Sequence, residues 1–499
     1  MRFFNTAGPV NCAEHYCISP LERINLDEIL VLIEQRKYFV LHAPRQTGKT
    51  SCLLALMEYL NREGRYAALY CNVEAAQGTR EDVRRGVKAI LNEMALRARI
   101  YLDDRFFTDT WPGILEISGE DNALSEAFTR WALHNSKPMV LLIDEIDSLV
   151  GDTLISVLRQ IRSGYDRRPI QFPQSIILCG VRDVRDYHIH SDAEKAVITG
   201  GSAFNIKAAS LRLGNFDECE VHALLQEHVN ETGQRFEPEA AALIWDYTQG
   251  QPWLVNALAY EVCFQMPAGR DRSAAITTDM VIQAKENLIL RRETHLDQLA
   301  DKLKEPRVRS VIEPLLTGTP EPGKILEDDL QYVTDLGLVR RKPQVTVSNP
   351  IYQEIIPRML TETTQDVLPF ETRWYLRPDG QLDMEKLLTA FQEFFREHSE
   401  HWVERFDYKE AGPQLLLQAF LQRIINSGGR IDREYGLGRK RTDLLVIWQR
   451  QKIVIELKIL YKRLEKTLAE GLDQTADYMD KCGTDEGHLI IFDRSPTRT

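Results

Sequence analysis

Two separate groups of residues in this chain have the types and the spacing that phosphate chemistry requires. The first lies within residues 37–54, KYFVLHAPRQTGKTSCLL, where an apolar run leads into the triplet GKT. The second lies near the other end, where Asp443 precedes the run IVIELK, which contains Glu456 and Lys458. The first group predicts a site for a nucleoside triphosphate. The second predicts a divalent-cation site for phosphodiester hydrolysis.

The GKT triplet is predicted to lie in a turn between a strand and a helix. Residues 38–42 predict a buried strand and residues 48–60 predict a helix, so a phosphate would meet inward N–H groups and the positive end of a helix dipole. In this P-loop interpretation Lys49 neutralises the β- and γ-phosphates, and the Thr50 hydroxyl holds Mg²⁺. The usual first Gly is replaced by Ala43, so the phosphate cradle is expected from the later part of the loop. The residues predicted to contact the nucleotide here are Pro44, Arg45, Gln46, Thr47, Gly48, Lys49, Thr50 and Ser51.

An acidic pair further along the chain supports this interpretation over a chance GKT. Residues 139–147 spell MVLLIDEID, which predicts a fully buried strand that delivers Asp144 and Glu145 at its end. Asp144 is predicted to hold Mg²⁺ through water, and Glu145 to polarise the water that attacks the γ-phosphate. The two motifs together predict ATP binding and hydrolysis.

Two more side chains are predicted near the nucleotide, each with a structural alternative. Residues 175–180, SIILCG, predict a buried strand between the two strands described above, and Arg182 just after it is the predicted γ-phosphate sensor. The alternative is a surface arginine paired with Asp183 or Asp186. Tyr16 could stack on the base, or it could be a packed aromatic residue.

The segment from residue 211 to 259 is predicted to be helical. Together, HAPRQTGKTS, LIDEID, CGVRD and GQPWLVNALA make residues 1–290 resemble bacterial and archaeal AAA+ ATPases related to the STAND and origin-recognition groups. The resemblance implies a helical lid whose GxP element places Pro252 near the nucleotide, with ATP and Mg²⁺ as cofactors. Homo-oligomer formation stays open because no arginine finger can be assigned among Arg159, Arg162, Arg167, Arg168 and Arg212.

Residues 304–360 predict two helices, a β-ribbon and a closing helix. This order resembles the winged helix that often follows the lid in such ATPases. A winged helix can enter a DNA groove, but the second helix carries several acidic residues, which disfavour contact with phosphates. A protein partner or an interdomain role is therefore preferred. The acidic residues are Glu327, Asp328, Asp329 and Asp335.

The last hundred residues predict the order helix, three strands, helix, strand. With TDLLVIW and IVIELK, this order resembles the PD-(D/E)xK nuclease superfamily. Asp443 and Glu456 are expected on adjacent strands facing one side, and Lys458 shares that side because strand side chains repeat every second residue. The carboxylates would hold Mg²⁺ or Mn²⁺, and the lysine would orient the attacking water.

Further positions support the nuclease interpretation. Glu410 and Glu434 are candidate additional metal ligands, while Gln474 and Tyr478 match the QxxxY element of exonuclease-like members of this superfamily. Residues 430–466 hold eleven Lys or Arg against five Asp or Glu, which predicts a DNA-contacting surface. The alternative is an inherited nuclease fold that binds nucleic acid or a partner without cutting.

Composition limits the remaining possibilities. A net charge of -12 argues against coating nucleic acid with the whole surface. The sequence has no apolar run of roughly 18 residues and no signal-type start, so a cytoplasmic protein without membrane contact is expected. The eight cysteines are scattered without a CxxC pair, which predicts reduced thiols and no disulfide framework.

We therefore predict an α/β multidomain protein with a P-loop ASCE parallel sheet, a helical lid, a winged helix and a C-terminal αβββαβ restriction-endonuclease-like domain. The leading hypothesis is an ATPase that controls a metal-dependent DNA nuclease, in foreign-DNA defence or mobile-element handling. The alternatives are a STAND-like ATP switch with a non-cutting tail and a mechanical remodeller. The predicted domains are 1–205 (ATPase core), 206–295 (lid), 296–362 (winged helix), 363–400 (linker or helical connector) and 401–499 (nuclease-like domain).

Overall fold

The computed structural model divides the chain into two compact units. The first comprises Met1–Leu288 and Thr334–Leu338, and the second comprises Ile289–Val333 and Val339–Thr499. The structure describes residues 1–183, 188–191, 196–199, 204–291, 301–316, 325–360, 375–405, 417, 420–421, 429–437, 440–448, 450–460 and 463–493.

A five-stranded parallel sheet organises the first unit. The strands of this unit are β1 (Phe3–Phe4), β2 (His15–Tyr16), β3 (Tyr38–His42), β4 (Ala67–Asn72), β5 (Met139–Asp144), β6 (Ser175–Gly180), β7 (His188–Ser191), β8 (Ala196–Thr199) and β9 (Lys207–Arg212). The sheet has the order β4-β5-β6-β3-β9, and β6 therefore lies between the two strands that carry the predicted nucleotide motifs, as expected from the sequence. β1 pairs with β2, and β7 with β8.

Helices cover both faces of this sheet because its strands are apolar on both sides. Strands β5 and β6 are buried along their whole length. Val40 and Leu141 belong to one hydrophobic core, whereas Phe39 and Leu142 belong to the other, so successive side chains alternate between two cores. The α-helices that the structure describes within residues 1–291 are α1 (Leu26–Glu34), α2 (Lys49–Glu63), α3 (Val83–Leu102), α4 (Phe106–Ser118), α5 (Ala123–His134), α6 (Gly151–Ser163), α7 (Glu218–Thr232), α8 (Pro238–Thr248), α9 (Pro252–Tyr260), α10 (Pro267–Arg270) and α11 (Thr278–Arg291).

Two expectations about this unit are wrong. Leu211 and Arg212, predicted to be helical, end strand β9, where they pair with the last residues of β3. Cys12 and Cys17, predicted to be reduced thiols, form a disulfide. The other six cysteines are free, and all of them except Cys219 are buried.

The second unit contains a small helical region with a β-ribbon. Strands β10 and β11 are antiparallel. The order of helices and strands follows the prediction for residues 304–360. The elements are α12 (Pro306–Leu316), α13 (Glu327–Asp335, whose last two residues count with the first unit), β10 (Val339–Arg340), β11 (Thr346–Val347) and α14 (Pro350–Leu360).

A four-stranded sheet follows in the same unit, and its strands keep the order predicted from the sequence. The sheet order is β12-β13-β14-β15, with the first two pairs antiparallel and the last pair parallel. Helix α15 runs across the domain boundary that we predicted after residue 400. The elements are α15 (Met384–Arg405), β12 (Gly429–Leu437), β13 (Lys440–Trp448), β14 (Gln451–Ile459), α16 (Leu464–Cys482) and β15 (Glu486–Phe492).

Within the described ranges, no helix has the length and hydropathy needed to span a bilayer.

Candidate active sites

The GKT triplet lies in the turn from β3 to α2, as the sequence predicts. Gly48 caps α2 with a φ of 93°, a left-handed conformation that glycine adopts without strain. A Cβ at this position would lie 2.6 Å from a guanidinium nitrogen of Arg23. The turn therefore requires glycine both for its backbone conformation and for its space.

Lys49 holds this turn in shape through its side chain. Its ammonium group donates to the carbonyl oxygens of Ala43 at 2.9 Å and Pro44 at 3.0 Å, and the residue is 5% exposed. Thr47 Oγ1 also donates to the Pro44 carbonyl, at 2.7 Å. The charged ammonium group of Lys49 is thus held by two neutral carbonyl oxygens of the loop. The phosphate oxygens of a bound nucleotide, which are negatively charged, would compete with these carbonyls for its hydrogen bonds.

Thr50 and Asp144 meet at the carboxyl edge of the sheet. Thr50 Oγ1 donates to Asp144 Oδ2 at 2.7 Å, and the Tyr70 hydroxyl donates to the same oxygen at 3.0 Å. Asp144 is fully buried. A hydroxyl and a carboxylate at this separation are the oxygen donors that Mg²⁺ prefers, so the residues present fit the ion.

Glu145 has an unusual backbone and an unusual environment. Its φ of 55° is left-handed, a strained conformation for a residue with a side chain. Burial, and then the nearby carboxylate of Asp147, raise the pKa of Glu145, although Lys49 opposes them. A carboxylate with a raised pKa is a better proton acceptor, which suits the predicted role of activating water.

Arg182 follows β6 at the same edge of the sheet. Its guanidinium Nε lies 3.7 Å from Asp335 Oδ2, and its side chain is only 13% exposed. Asp183 forms an ion pair with Lys207. Arg182 is thus largely buried beside Asp335, and both the sensor role and the alternative of a pair with Asp183 or Asp186 stay predictions. Asp186 lies outside the described residues.

A cleft opens beside the P-loop. Its lining includes Gly48 and Ser51 of the P-loop turn and Pro252 at the start of α9. Gly250 lets the chain turn into α9, because its φ is 69° and a Cβ there would lie 1.9 Å from the Phe216 carbonyl oxygen. The GxP element therefore lines the same cleft as the P-loop, and its contact with a nucleotide stays a prediction.

Tyr16 borders this cleft but is a packed aromatic residue rather than a free stacking surface. It is 1% exposed, and its ring contacts Phe4 edge-on at 4.9 Å between centroids. Its hydroxyl lies 3.3 Å from His228 Nδ1. The packed alternative is therefore the one that the structure supports.

Sequence reasoning missed Arg23, which joins three parts of this site. Its guanidinium donates to the Thr47 carbonyl in the P-loop and, at 2.8 Å, to the Gly214 carbonyl. It also lies 4.6 Å from the centroid of the Phe216 ring, within cation–π range. No motif in the sequence singles it out, because its partners come from distant parts of the chain.

The predicted nuclease residues lie in one row across the second sheet. Leu444 pairs with Ile455, so the next step along the antiparallel strands places Asp443 opposite Glu456. In the same way, Arg433 of β12 pairs with Leu444 and Tyr435 pairs with Thr442, so Glu434 lies opposite Asp443. Three acidic residues of adjacent strands therefore share one register position, as a shared cation site requires.

Glu456 and Lys458 interact directly on β14. Lys458 Nζ lies 2.7 Å from Glu456 Oε1, with side-chain exposures of 27% and 4% respectively. Because residues two apart on a strand face the same side, Val454 shares this side with Glu456 and Lys458. Val454 packs against Tyr478 of α16, so α16 covers the side of the sheet that carries the predicted site.

Helix α16 presents the two residues of the predicted QxxxY element. Tyr478 is 5% exposed and packs in a core cluster with Leu445, Val454 and Cys482. Gln474 Oε1 is buried and accepts no hydrogen bond within the described residues. Tyr478 is thus explained by packing, whereas Gln474 keeps an acceptor available.

Part of this site lies beyond what the structure describes. Glu410 is outside the described residues, and only the strand positions of Asp443 and Glu434 are described, not their side chains. No metal-binding group of three or more His, Cys, Asp or Glu occurs among the described side chains.

The parallel five-stranded sheet with the GKT turn between β3 and α2 is typical of P-loop ATPases. Residues 33–187 match the sequence model of the AAA domain. No curated protein sequence matches the chain.

Solved structures with a similar fold include the Walker-type ATPase PABY2304 of Pyrococcus abyssi (15% identity, TM-score 0.47, 71% of this chain and 99% of that one). Another is Cdc6p from Pyrobaculum aerophilum (14% identity, TM-score 0.37, 69% of this chain and 95% of that one). The RuvB Holliday junction branch migration motor of Thermotoga maritima also matches (15% identity, TM-score 0.35, 66% of this chain and 93% of that one).

Proposed function

We propose that the chain hydrolyses ATP at the first site and cleaves DNA at the second, and that the nucleotide state controls the cleavage. The observation that carries the nuclease half is the row of Glu434, Asp443 and Glu456 across three strands, with Lys458 paired to Glu456. Phosphodiester cleavage needs a cation held by carboxylates and a cationic group near the attacking water, and this arrangement supplies both residue types.

The ATPase half is supported by the contacts around Asp144. Thr50 and Asp144 would hold Mg²⁺, Lys49 would leave its two carbonyl partners for the phosphates, and Glu145 would accept a proton from the attacking water. When bound, Mg²⁺ neutralises charge that develops on the phosphate oxygens. Arg182 and Pro252 complete the proposed contacts to the γ-phosphate and to the nucleoside.

DNA is the proposed partner of residues 430–466, and Mn²⁺ is a proposed substitute for Mg²⁺ at the second site. For the helical region of the second unit we propose a winged helix that contacts protein. Two of its acidic residues are already neutralised within the unit, since Arg341 lies 2.6 Å from Glu327 and Arg307 lies 3.3 Å from Asp329. Assembly into a homo-oligomer is part of the same proposal.

Digestion of plasmid and linear DNA with Mg²⁺ or Mn²⁺ tests the nuclease half. Lys458→Ala should abolish cleavage, whereas the control Lys386→Ala, which removes an exposed lysine of α15 outside residues 430–466, should leave it unchanged. Equal cleavage by wild type and Lys458→Ala would refute the proposal. Calorimetry then measures Mn²⁺ binding. The non-cutting alternative predicts that the chain binds no Mn²⁺ through Asp443 and Glu456, so that substituting either residue leaves the measured binding unchanged.

A further inference from the structure

The Asp144 carboxylate receives hydrogen bonds from several parts of the fold. Its Oδ2 accepts from the Thr50 hydroxyl at 2.7 Å and from the Tyr70 hydroxyl at 3.0 Å. Its Oδ1 accepts from the Glu145 N–H at 2.9 Å. The thiol of Cys179 on β6 also hydrogen-bonds the carboxylate, although a thiol is a weak donor. Because Asp144 is fully buried, these donors replace the water that an ionised carboxylate otherwise needs.

The direction of the Thr50 hydroxyl hydrogen follows from this arrangement. An ionised carboxylate accepts hydrogen bonds and donates none, so Thr50 gives its hydrogen to Asp144. The lone pairs of Thr50 Oγ1 then remain for a cation. Thr50 lies in the first turn of α2 and is partly exposed, so this route from Asp144 to the proposed Mg²⁺ does not require Asp144 itself to have accessible surface.

Tyr70 donates to the same Asp144 oxygen from a fixed position. It lies on β4, which pairs with β5, and it is 3% exposed. Its ring belongs to one hydrophobic core with Phe39 and Leu142. The Asn72 side chain also hydrogen-bonds the Tyr70 hydroxyl. A hydroxyl that is held both through its ring and through its oxygen restricts the rotation of the carboxylate that it contacts.

We propose that Tyr70 is a positioning residue for the divalent cation of the nucleotide site. Its hydroxyl holds Asp144 Oδ2 where Thr50 donates to it, so that Thr50 Oγ1 keeps its lone pairs for Mg²⁺. The inference rests on the proposed binding of ATP with Mg²⁺ and adds a residue that lies outside the motifs from which that site is predicted. Removing a group that hydrogen-bonds a metal-binding residue typically lowers metal affinity by about 10- to 100-fold.

The experiment measures the dissociation constant of a non-hydrolysable ATP analogue for the full-length chain, once with Mg²⁺ and once with EDTA. The ratio of the two constants is the enhancement of binding by the metal, and it does not depend on turnover. Wild type should bind more tightly with Mg²⁺. Tyr70→Phe keeps the packed ring and removes only the hydroxyl, so it should reduce this enhancement about tenfold and leave the constant in EDTA unchanged.

Tyr38→Phe is the matched control. Tyr38 is also a buried tyrosine of the same sheet, and its hydroxyl donates one hydrogen bond, at 3.1 Å to the Pro173 carbonyl. This substitution removes a comparable buried hydroxyl that has no contact with Asp144. It should therefore change neither dissociation constant.

A double variant tests whether Tyr70 acts through Thr50. Thr50→Ala alone should reduce the enhancement at least as much as Tyr70→Phe does. Adding Tyr70→Phe to Thr50→Ala should cause no further loss, because both substitutions interrupt the same chain of contacts. Losses that add up would overturn the proposed route through Thr50.

The remaining outcomes separate this inference from the function on which it rests. An enhancement that Tyr70→Phe leaves unchanged overturns the role of Tyr70 while ATP binding stands. If wild type does not bind the analogue, or binds it equally with and without Mg²⁺, the proposed nucleotide site fails and this inference fails with it. The constant in EDTA shows whether Tyr70→Phe is folded; if it is not, Tyr70→Met replaces it with the same expected loss.

Discussion

Thr50 Oγ1 donates a 2.7 Å hydrogen bond to Asp144 Oδ2, although 94 positions separate the two residues in the sequence. The contact exists because β3 and β5 are parallel members of one sheet, so the segments that follow them emerge at the same edge. An apolar strand ending in a polar residue at that edge is therefore the unit from which the nucleotide site is built.

Thr50→Ala should lower the rate of ATP hydrolysis by about 100-fold, which corresponds to ~2.7 kcal/mol of transition-state stabilisation. The reason is that the variant loses the hydroxyl that would hold Mg²⁺ beside Asp144. The measurement is steady-state phosphate release at saturating Mg²⁺. Thr50→Ser keeps the hydroxyl and serves as the control; similar losses in both variants would mean that the hydroxyl is not what matters.

Glu145→Gln should bind ATP but not turn it over, because the amide cannot accept a proton from water. The raised pKa of Glu145 adds a pH dependence: the acid limb of kcat/KM in wild type should lie above the ordinary pKa of a glutamate, since the base works only when ionised. A bound nucleotide that is hydrolysed at the wild-type rate by the variant would exclude this role.

The same raised pKa fixes the sign of a stability effect. A carboxyl group whose pKa is higher in the folded state stabilises the fold below its unfolded pKa, and this contribution is lost as the pH rises through the folded pKa. Glu145→Gln should therefore melt at a higher temperature than wild type at pH 7, with the difference shrinking toward pH 4. A difference that grows toward low pH would contradict the cause that we assign.

Gly250→Ala should destabilise the chain by several kcal/mol, since the new Cβ would meet the Phe216 carbonyl oxygen at 1.9 Å. Gly233→Ala is a matched control: its φ of 76° is also left-handed, but nothing lies within 4 Å of the added atom. Its expected loss is about 1 kcal/mol, from the backbone alone. Denaturant unfolding measures both, and equal losses would show that the contact with Phe216 is unimportant.

Removing the Cys12–Cys17 disulfide should loosen the wall of the cleft, because Cys17 is part of its lining. Closing so short a loop is worth about 2 kcal/mol in the unfolded-chain account, and the double variant Cys12→Ser/Cys17→Ser should lose at most that much. Its ATP dissociation constant should rise several-fold, as should that of wild type treated with dithiothreitol. The control Cys219→Ser, at an exposed free thiol, should change neither the free energy of unfolding nor the ATP dissociation constant. If the double variant binds ATP as tightly as wild type, the disulfide does not contribute to the nucleotide site.

The strands were predictable where apolar residues form an uninterrupted run, as in Tyr38–His42 and Ser175–Gly180, whose predicted and observed bounds agree. Leu211 was mistaken for helix because β9 is an edge strand with half-exposed residues, and its pattern is correspondingly weak. Arg23 and the disulfide were not predictable. The partners of Arg23 include Gly214, far along the chain, and two cysteines five positions apart carry no pattern that indicates whether they are joined.

Parallel assays of DNA cleavage and ATP hydrolysis in one reaction test the central claim, that two distinct phosphate sites on this chain act together. Lys458→Ala should abolish cleavage and keep ATP hydrolysis, while Lys49→Ala should abolish hydrolysis and remove the effect of ATP on cleavage. Wild-type cleavage that is the same with and without ATP, or that persists in Lys458→Ala, would contradict the account.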